Sequence, residues 1–287
     1  MRSDGAYVNT GGASAMDDPV AAKPKFDDRQ GLKPAVAMRL DGQRRETFAD
    51  RVVEETPVAL LYNGRSYAVM MATPADLEDF ALGFALTEGV VERANEFRLV
   101  DCLQTAHGIS LQAAIPQHRF DALVERSRNL AGRSGCGLCG VETLEAAVRP
   151  VRKLSDHLWV TSAAISQGLR QLADAQPLNR ISGGVHAAGF VHASGILVRE
   201  DVGRHNALDK LVGALVSATV GSGFLVMTSR ASYEIVHKAA AAGIAIVVAM
   251  SAPTNLAIRL ADEAGITLVA FARGNTMTVY THDDRVR

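Results

Sequence analysis

The chain has 287 residues, of which 48% are hydrophobic and 21% are charged, and its formal net charge is −1. This length is sufficient for a sizeable core and predicts two domains, while the small net charge argues against a general affinity for nucleic acid or membrane surfaces. Three cysteines do not form an even disulfide framework, and no signal-peptide pattern opens the chain. Apolar runs such as residues 243–250 are too short to span a bilayer. We therefore expect a cytoplasmic protein.

The first part of the chain predicts a tail followed by a small domain. Residues 1–32 are rich in Gly, Ala, Asp and Lys without apolar periodicity, which is typical of a disordered tail. Residues 33–120 are interpreted as an N-terminal α+β domain, in which Thr73 is predicted to cap a helix that stops at Gly89. Strands are expected at 51–56, 58–62, 66–71, 96–102 and 108–115, with a hairpin turn at Asn63-Gly64.

Residues 121–150 are interpreted as a loop between the domains, and they carry two of the three cysteines. Cys136 and Cys139 form a CxxC, and glycines on both sides leave this dithiol an uncrowded backbone. In the cytoplasm, a CxxC favours catalysis or metal binding over a structural disulfide. The thiolate is the reactive form of cysteine, and both Arg133 and the start of a helix expected at 142–148 add positive potential beside the pair. The segment therefore predicts sulfur chemistry.

The remaining residues, 151–287, predict an α/β domain. Short apolar strands alternate with helices, which is typical of a sheet with parallel strands at one side and helices on its faces. Strands are expected at 185–191, 195–200, 224–228, 244–250, 266–271 and 277–280. Helices are expected at 162–175, 204–218, 232–242 and 255–264. Thr161 or Ser162 is predicted to cap the first of these helices, and Trp159 is expected to lie in the core.

Polar segments follow the predicted strands of this domain, at the place where ligands bind in open α/β sheets. They are 201–206, 228–230, 251–254 and 273–276. Arginines, hydroxyl groups and helix N-termini at one sheet edge suit a phosphate or a nucleotide. A single Ser or Thr there is more simply a helix cap, whereas Arg273 and Gly274 after a buried strand favour ligand binding. Asp201 is either a site residue or a helix cap. For His186 and His205 the sequence leaves two roles open, contact with a ligand and packing beside the sheet.

Four segments of the chain together resemble the FdhD/NarQ family, and they occur in the order in which that family has them. They are Ser134-Gly-Cys-Gly-Leu-Cys-Gly-Val-Glu142, Gly183-Gly-Val-His-Ala-Ala188, Glu200-Asp-Val-Gly-Arg-His-Asn206 and Phe271-Ala-Arg-Gly274. The resemblance extends over roughly residues 35 to 285.

The resemblance implies a sulfur carrier, or sulfurtransferase, that accepts persulfide sulfur from a cysteine desulfurase. The carrier passes this sulfur to the molybdenum cofactor, Mo-bis(molybdopterin guanine dinucleotide), for activation of formate dehydrogenase. The family's persulfide cysteine corresponds to Cys136, and its second cysteine corresponds to Cys139, whose role stays open. The family's cofactor-binding segment corresponds to Phe271, Ala272, Arg273, Gly274, Asn275 and Thr276. GDP is the expected partial mimic of the cofactor, and a homodimer is implied.

The resemblance also implies a cytidine-deaminase-like fold for the α/β domain, without a deaminase zinc site. A zinc deaminase needs a His or Cys ligand followed by a catalytic Glu, and a later Pro-Cys-x-x-Cys. Here Ala188 follows His186 at the position of that Glu, and residues 228–236 contain no cysteine. No metal site and no deaminase chemistry are therefore predicted, and neither nucleic acid nor a membrane is an expected partner.

Three other interpretations remain from sequence alone. A structural zinc site would need Cys102 and a histidine to complete four ligands, but no second CxxC or finger-spaced histidine pair is present, and Cys102 is better explained as a small buried hydrophobe. A thioredoxin-like role would place the CxxC at the start of the first helix of a βαβ unit, which it does not occupy. A non-catalytic chaperone would bind the molybdenum cofactor and tolerate the loss of Cys136.

Overall fold

The computed structural model describes residues 31–130, 151–155, 158–218 and 220–287, with the backbone alone for 126–130. Its strands are β1 (Leu32–Asp41), β2 (Arg44–Val53), β3 (Thr56–Tyr62), β4 (Arg65–Ala72), β5 (Arg98–Thr105), β6 (Gly108–Ala114), β7 (His186–His192), β8 (Gly195–Asp201), β9 (Gly223–Met227), β10 (Ile246–Ala249), β11 (Thr267–Arg273) and β12 (Thr276–Val279). Its helices are α1 (Leu77–Thr87), α2 (Gln117–Leu130), α3 (Ser162–Asp174), α4 (Pro177–Ser182), α5 (Arg204–Ser217), α6 (Tyr233–Ala241) and α7 (Asn255–Ala264), with 3₁₀ turns at Ala94–Glu96 and Asp283–Arg285.

The N-terminal part consists of a two-stranded arm and a four-stranded sheet. β1 and β2 pair with each other along their whole length, and Val36 on this arm is 81% exposed. The sheet has the order β4-β3-β6-β5. Ile109, Leu111 and Ala113 alternate along β6 and are buried, because side chains two residues apart share a face of the sheet. Phe80 of α1 completes the core on that side.

The C-terminal part is a six-stranded sheet with helices on both faces. Its order is β12-β11-β10-β9-β7-β8, and β9, β10 and β11 run parallel. β9 and β10 are apolar and almost entirely buried, as expected for parallel strands that are covered on both faces. Leu225 belongs to the core beneath α5, α6 and α7, while its neighbour Val226 belongs to the core beneath α3. The strands and helices predicted for residues 162–280 are confirmed to within a few residues.

The two parts meet where α1 crosses α5. A Cβ added at Gly83 would overlap the carbonyl oxygen of Asp209, and one added at Gly213 would overlap that of Asp79. The absence of side chains at the two glycines therefore lets the helix backbones touch. Below the crossing, Lys238 Nζ lies 3.0 Å from Asp209 Oδ1 and 2.8 Å from Glu88 Oε1.

The structure corrects the predicted extent of the linking loop. Residues 117–130 form helix α2 instead. Leu123 is buried against the N-terminal core, with Phe120 packed beside it, and the arginine-rich sequence obscures this apolar side. The rest of the predicted loop, with Cys136 and Cys139, lies outside the described residues, as does the predicted tail as far as residue 30.

Two single-residue predictions were wrong. Thr73 does not cap α1, because the helix begins at Leu77 after Asp76, whose φ is +51° and whose side chain makes no capping hydrogen bond. Trp159 is not a core residue, since 49% of it is exposed and the guanidinium of Arg287 lies 4.4 Å from the centre of its ring.

The fold is a mixed α/β structure, and its closer description as cytidine-deaminase-like stays a prediction. The division of the chain into independent domains also stays a prediction. None of the helices in the described ranges is long and apolar enough to cross a bilayer.

Candidate functional site

One edge of the six-stranded sheet gathers the polar segments that follow its strands. β8, β9, β10 and β11 all end at this edge, and the antiparallel β7 begins there. Met250 N–H donates to Met227 O at 3.0 Å, and Phe271 N–H donates to Ser251 O at 3.2 Å. We call this region the carboxyl edge; it comprises His186 and residues 201–206, 228–230, 250–254 and 271–276. The convergence predicted from the sequence is therefore confirmed.

Phe271 has the most unusual conformation on the carboxyl edge. Its φ is +50°, which is uncommon for any residue other than glycine and costs about 1–3 kcal/mol. The pairing of β11 with β12 shifts register between Ala270 and Arg273. As a result Phe271 is 47% exposed, while the next side chain, Ala272, is fully buried in the core. The strand thus presents an aromatic ring to solvent, and the side chain of Ala272 does not belong to the surface.

The residues after Phe271 form an exposed hairpin turn. Arg273 Nε donates to Met250 O at 3.4 Å, which leaves the rest of the guanidinium at the surface. Gly274 has a φ of +56°, the left-handed conformation that glycine adopts without a steric penalty. Asn275 and Thr276 are also exposed. Phe271–Thr276 thus combines an aromatic ring, a cation, an amide and a hydroxyl on one surface.

Several hydroxyl groups on the carboxyl edge have structural partners instead. Thr254 caps α7 by accepting a hydrogen bond from Ala257 N–H at 3.2 Å, which confirms the simpler interpretation of that residue. Thr228 Oγ1 accepts from Ala187 N–H at 2.9 Å, and Ser229 Oγ donates to a backbone carbonyl at 3.0 Å.

Asp201 lies in a buried polar network that joins the two parts of the chain. It is fully buried, and its Oδ2 lies 2.7 Å from Lys210 Nζ and accepts a hydrogen bond from Thr73 N–H at 3.0 Å. Its Oδ1 accepts from Gly203 N–H at 2.8 Å and from Asn206 Nδ2 at 3.0 Å. Asp201 therefore fixes the turn before α5 and has no open face for a ligand. No motif indicated that Thr73 and Lys210 would be its partners.

His186, Arg204 and His205 lie close together at the other end of the carboxyl edge. Burial lowers the pKa of His186, and electrostatic interactions with Arg204 and with His205 lower it further. His205 Nε2 lies 2.8 Å from Glu234 Oε2, and this contact lowers the pKa of the Glu234 carboxyl. Glu234 is in no motif, so the sequence did not indicate its role.

Cys102 is the one cysteine among the described residues. Burial, followed by the negative charge of Asp101, raises the pKa of its thiol, so the reactive thiolate is disfavoured there. Within the described residues no group of three or more His, Cys, Asp and Glu side chains is placed to hold a metal ion. Cys136 and Cys139 lie outside those residues.

Comparison with known proteins identifies the relatives of this chain. The model of the FdhD/NarQ family matches residues 53–287. The sulfur carrier protein FdhD of Xanthomonas campestris pv. campestris (strain B100) is 50% identical over 271 residues, which cover 93% of this chain and 96% of that protein. The protein of the same name from Bordetella petrii is 50% identical over 245 residues, covering 84% of this chain and 88% of that protein.

A crystal structure from Desulfotalea psychrophila, described as a formate dehydrogenase accessory protein, has the same fold. The TM-score is 0.68 at 24% identity, over 89% of this chain and 99% of that one. The family model and the relatives both match most of the chain. This protein is a member of the FdhD/NarQ family.

Proposed function

We propose that this protein is a sulfurtransferase that carries sulfur as a persulfide on Cys136 and delivers it to Mo-bis(molybdopterin guanine dinucleotide). The observation that carries the proposal is the 50% identity with proteins named as sulfur carriers. The exposed hairpin Phe271–Thr276 adds support, because its aromatic ring and guanidinium suit a guanine nucleotide. In this proposal the sulfur donor is a cysteine desulfurase, the recipient of the sulfurated cofactor is formate dehydrogenase, and the carrier is a cytoplasmic homodimer.

The first chemical step loads sulfur onto Cys136. Its thiolate attacks the terminal sulfur of the donor persulfide, so that a new S–S bond forms at Cys136 and the S–S bond of the donor breaks. The donor leaves as a thiolate, and the sulfur arrives on Cys136 as a persulfide without net oxidation. A lowered thiol pKa near neutral pH favours this exchange.

Cys139 has two roles that fit the delivery step. It stabilises the loaded Cys136, or its thiolate attacks the inner sulfur of the Cys136 persulfide. In the second case a Cys136–Cys139 disulfide forms and hydrosulfide leaves, so that the two thiols are oxidised while the carried sulfur is reduced. The disulfide then has to be reduced by a cellular dithiol before another cycle.

The loading step is tested by treating the purified chain with a cysteine desulfurase and ³⁵S-labelled cysteine. The wild type and Cys102→Ala should gain one labelled sulfur on the peptide that contains Cys136, while Cys136→Ala should gain none there. Equal labelling of Cys136→Ala would reject Cys136 as the carrier. Full restoration of formate dehydrogenase activity in cells by Cys136→Ser would favour the non-catalytic chaperone instead.

The cofactor-binding role of the hairpin is tested with GDP. In the proposal Arg273 contacts a phosphate, Phe271 stacks on the base, and Gly274 allows the backbone to approach. A hydrogen bond to a charged group is worth about 1.5–3 kcal/mol, so Arg273→Ala should weaken GDP binding by roughly tenfold or more in calorimetry. The matched control is Arg259→Gln, an exposed arginine on α7. Equal affinity of Arg273→Ala and wild type would remove Arg273 from the site.

A further inference from the structure

A second group of polar side chains occupies the carboxyl edge on the side away from Phe271. It consists of His186, Arg204, His205, Glu234 and Ser232, and we call it the arginine corner. His186 begins β7, Arg204 and His205 begin α5, and Ser232 and Glu234 lie at the start of α6. Arg204 lies near enough to His186 and to Glu234 for its charge to lower the pKa of each.

Arg204 carries a donor that the other described residues of the corner leave without an acceptor. Its Nε is buried and has no hydrogen-bond partner among the described residues. Oε2 of Glu234, the carboxylate of the corner, lies 2.8 Å from His205 Nε2. A buried polar group without a partner is costly, and a charged one more so. The corner therefore has a buried donor that lacks an acceptor among the described residues.

Ser232 is a second polar residue of the corner whose side chain lacks a hydrogen-bond partner among the described residues. It precedes α6 as the N-cap residue, yet its side chain makes no capping hydrogen bond. It is only 7% exposed, and its Oγ has no partner within the part of the chain that the structure describes. The N-terminus of the nine-residue α6 favours an anion through its free N–H groups and its dipole. Ser232 Oγ and Arg204 Nε are thus two buried donors of the corner that have no acceptor among the described residues.

The buried network around Asp201 holds the corner in position. Asp201 and Lys210 are both fully buried and 2.7 Å apart, and Asp201 also binds the N–H of Gly203, directly before Arg204. Burying an ion pair is expensive and is weak evidence for stability. Its use here is to fix the backbone that presents Arg204, which preorganises the guanidinium for its ligand.

The corner is too far from Arg273 to bind the same phosphate. β7 is three strands away from β11 in the order β11-β10-β9-β7, and neighbouring strands are about 4.8 Å apart, so the separation is about 14 Å. A ligand with two anionic ends along the carboxyl edge would contact both places. The cofactor in the proposed function has such ends: the phosphates of its guanosine and its metal–dithiolene group.

We infer that the arginine corner binds the anionic metal–dithiolene end of the cofactor, while Phe271–Thr276 binds its guanosine diphosphate end. This inference rests on the proposed function and assigns a place to the part of the cofactor that receives sulfur. Arg204 and the hydroxyl of Ser232 donate hydrogen bonds to that end, and neutral His186 lies beside it. The nucleotide phosphates are also anionic and could bind at the same place. The experiment below distinguishes the phosphates from the metal–dithiolene end.

The test compares two ligands on Arg204→Gln, Arg204→Lys, Arg273→Ala and the control Arg259→Gln. One ligand is GDP, measured by calorimetry. The other is Mo-bis(molybdopterin guanine dinucleotide), released anaerobically from purified formate dehydrogenase, with bound molybdenum measured after desalting. Arg204→Gln should keep the GDP affinity of wild type within about twofold but bind the cofactor roughly tenfold less tightly, as expected for one lost charged hydrogen bond. Arg204→Lys should recover part of this loss.

Two results would overturn the inference. If Arg204→Gln weakens GDP binding as much as Arg273→Ala does, the corner binds nucleotide phosphate; if it retains cofactor like wild type, the corner binds no part of it. Thermal unfolding checks that the variants are folded. Arg204→Gln removes no hydrogen bond to a described residue, so its melting temperature should be unchanged or raised. Failure of the wild type to bind either ligand would instead reject the proposed cofactor-binding function, and the inference with it.

Discussion

Lys238 is a buried charge on which the junction between the two parts depends. Its ammonium group contacts Asp209, Glu88 and the hydroxyl of Thr87 at distances between 2.8 and 3.0 Å. Burial alone would lower the pKa of Lys238, but Asp209 and Glu88 outweigh that effect and raise it. The lysine therefore stays charged, and its removal would strand Asp209 in the interior.

Lys238→Met should destabilise the protein by about 3–5 kcal/mol, because it breaks a buried pair and leaves one charge without a partner. Urea unfolding monitored by circular dichroism would measure the loss. Lys33→Ala is the matched control, since Lys33 lies 4.0 Å from Glu54 in an exposed pair that is worth at most about 1 kcal/mol.

Replacing both fully buried partners, in Lys238→Met with Asp209→Leu, should recover part of that stability, because the charge that remains, Glu88, reaches the solvent. A loss below 1 kcal/mol in Lys238→Met alone would show that the pair does not matter to the fold.

Residues whose role is local were predictable from the sequence, and residues with distant partners were not. Thr161 and Thr254 cap helices as expected, because a cap depends on the few residues that follow it. Thr73 looked like such a cap, but its partner Asp201 is 128 positions away. The sequence left open whether Phe271 is exposed or in the core, because its exposure follows from a register shift between two strands.

At the scale of elements, the crossing of α1 and α5 sets the distance between the two parts. Gly83 and Gly213 each face the backbone of the opposite helix, and a Cβ at either would overlap a carbonyl oxygen. A backbone cannot move aside as a flexible side chain does. The helices therefore require glycine at this crossing despite its poor helix propensity.

Gly83→Ala should destabilise the protein, although alanine in an exposed helix would stabilise it by about 1 kcal/mol. We expect a loss of about 1–3 kcal/mol, as for other overpacked cores, measured by urea unfolding. Gly168→Ala in α3 is the control, because the atoms nearest to its added Cβ belong to the side chains of Val191 and Phe224, which can shift. A gain of stability in Gly83→Ala would contradict the close crossing.

Among the elements, the strands and helices of the C-terminal sheet were the most predictable. β9 and β10 are continuous apolar runs bounded by polar segments, a pattern that can be recognised in a single sequence. β1 was not predicted because most of its residues are exposed. Burial therefore imposes no alternation of apolar and polar residues on its sequence. α2 was missed because its apolar residues are few and its arginines many.

At the scale of the whole molecule, the carboxyl edge depends on the N-terminal part. Thr73 directly follows β4, and it binds Asp201 through its N–H, Val202 through its hydroxyl and Lys210 through its carbonyl. These contacts fix the turn that precedes Arg204. The edge that we propose as the cofactor site is therefore completed by a part of the chain that does not belong to its own sheet.

This dependence predicts that the two parts unfold together. Trp159, the single tryptophan, reports on the C-terminal part through its fluorescence, and amide hydrogen exchange of β3 and β6 reports on the N-terminal sheet. Both probes should give one urea midpoint, as expected for a single cooperative unit, and Lys238→Met should lower both midpoints equally, whereas Lys33→Ala should move neither by much. Two separate midpoints, or a shift confined to one probe, would mean that the contacts through Thr73 and Lys238 are too weak to couple the parts, and that each part folds as a domain of its own.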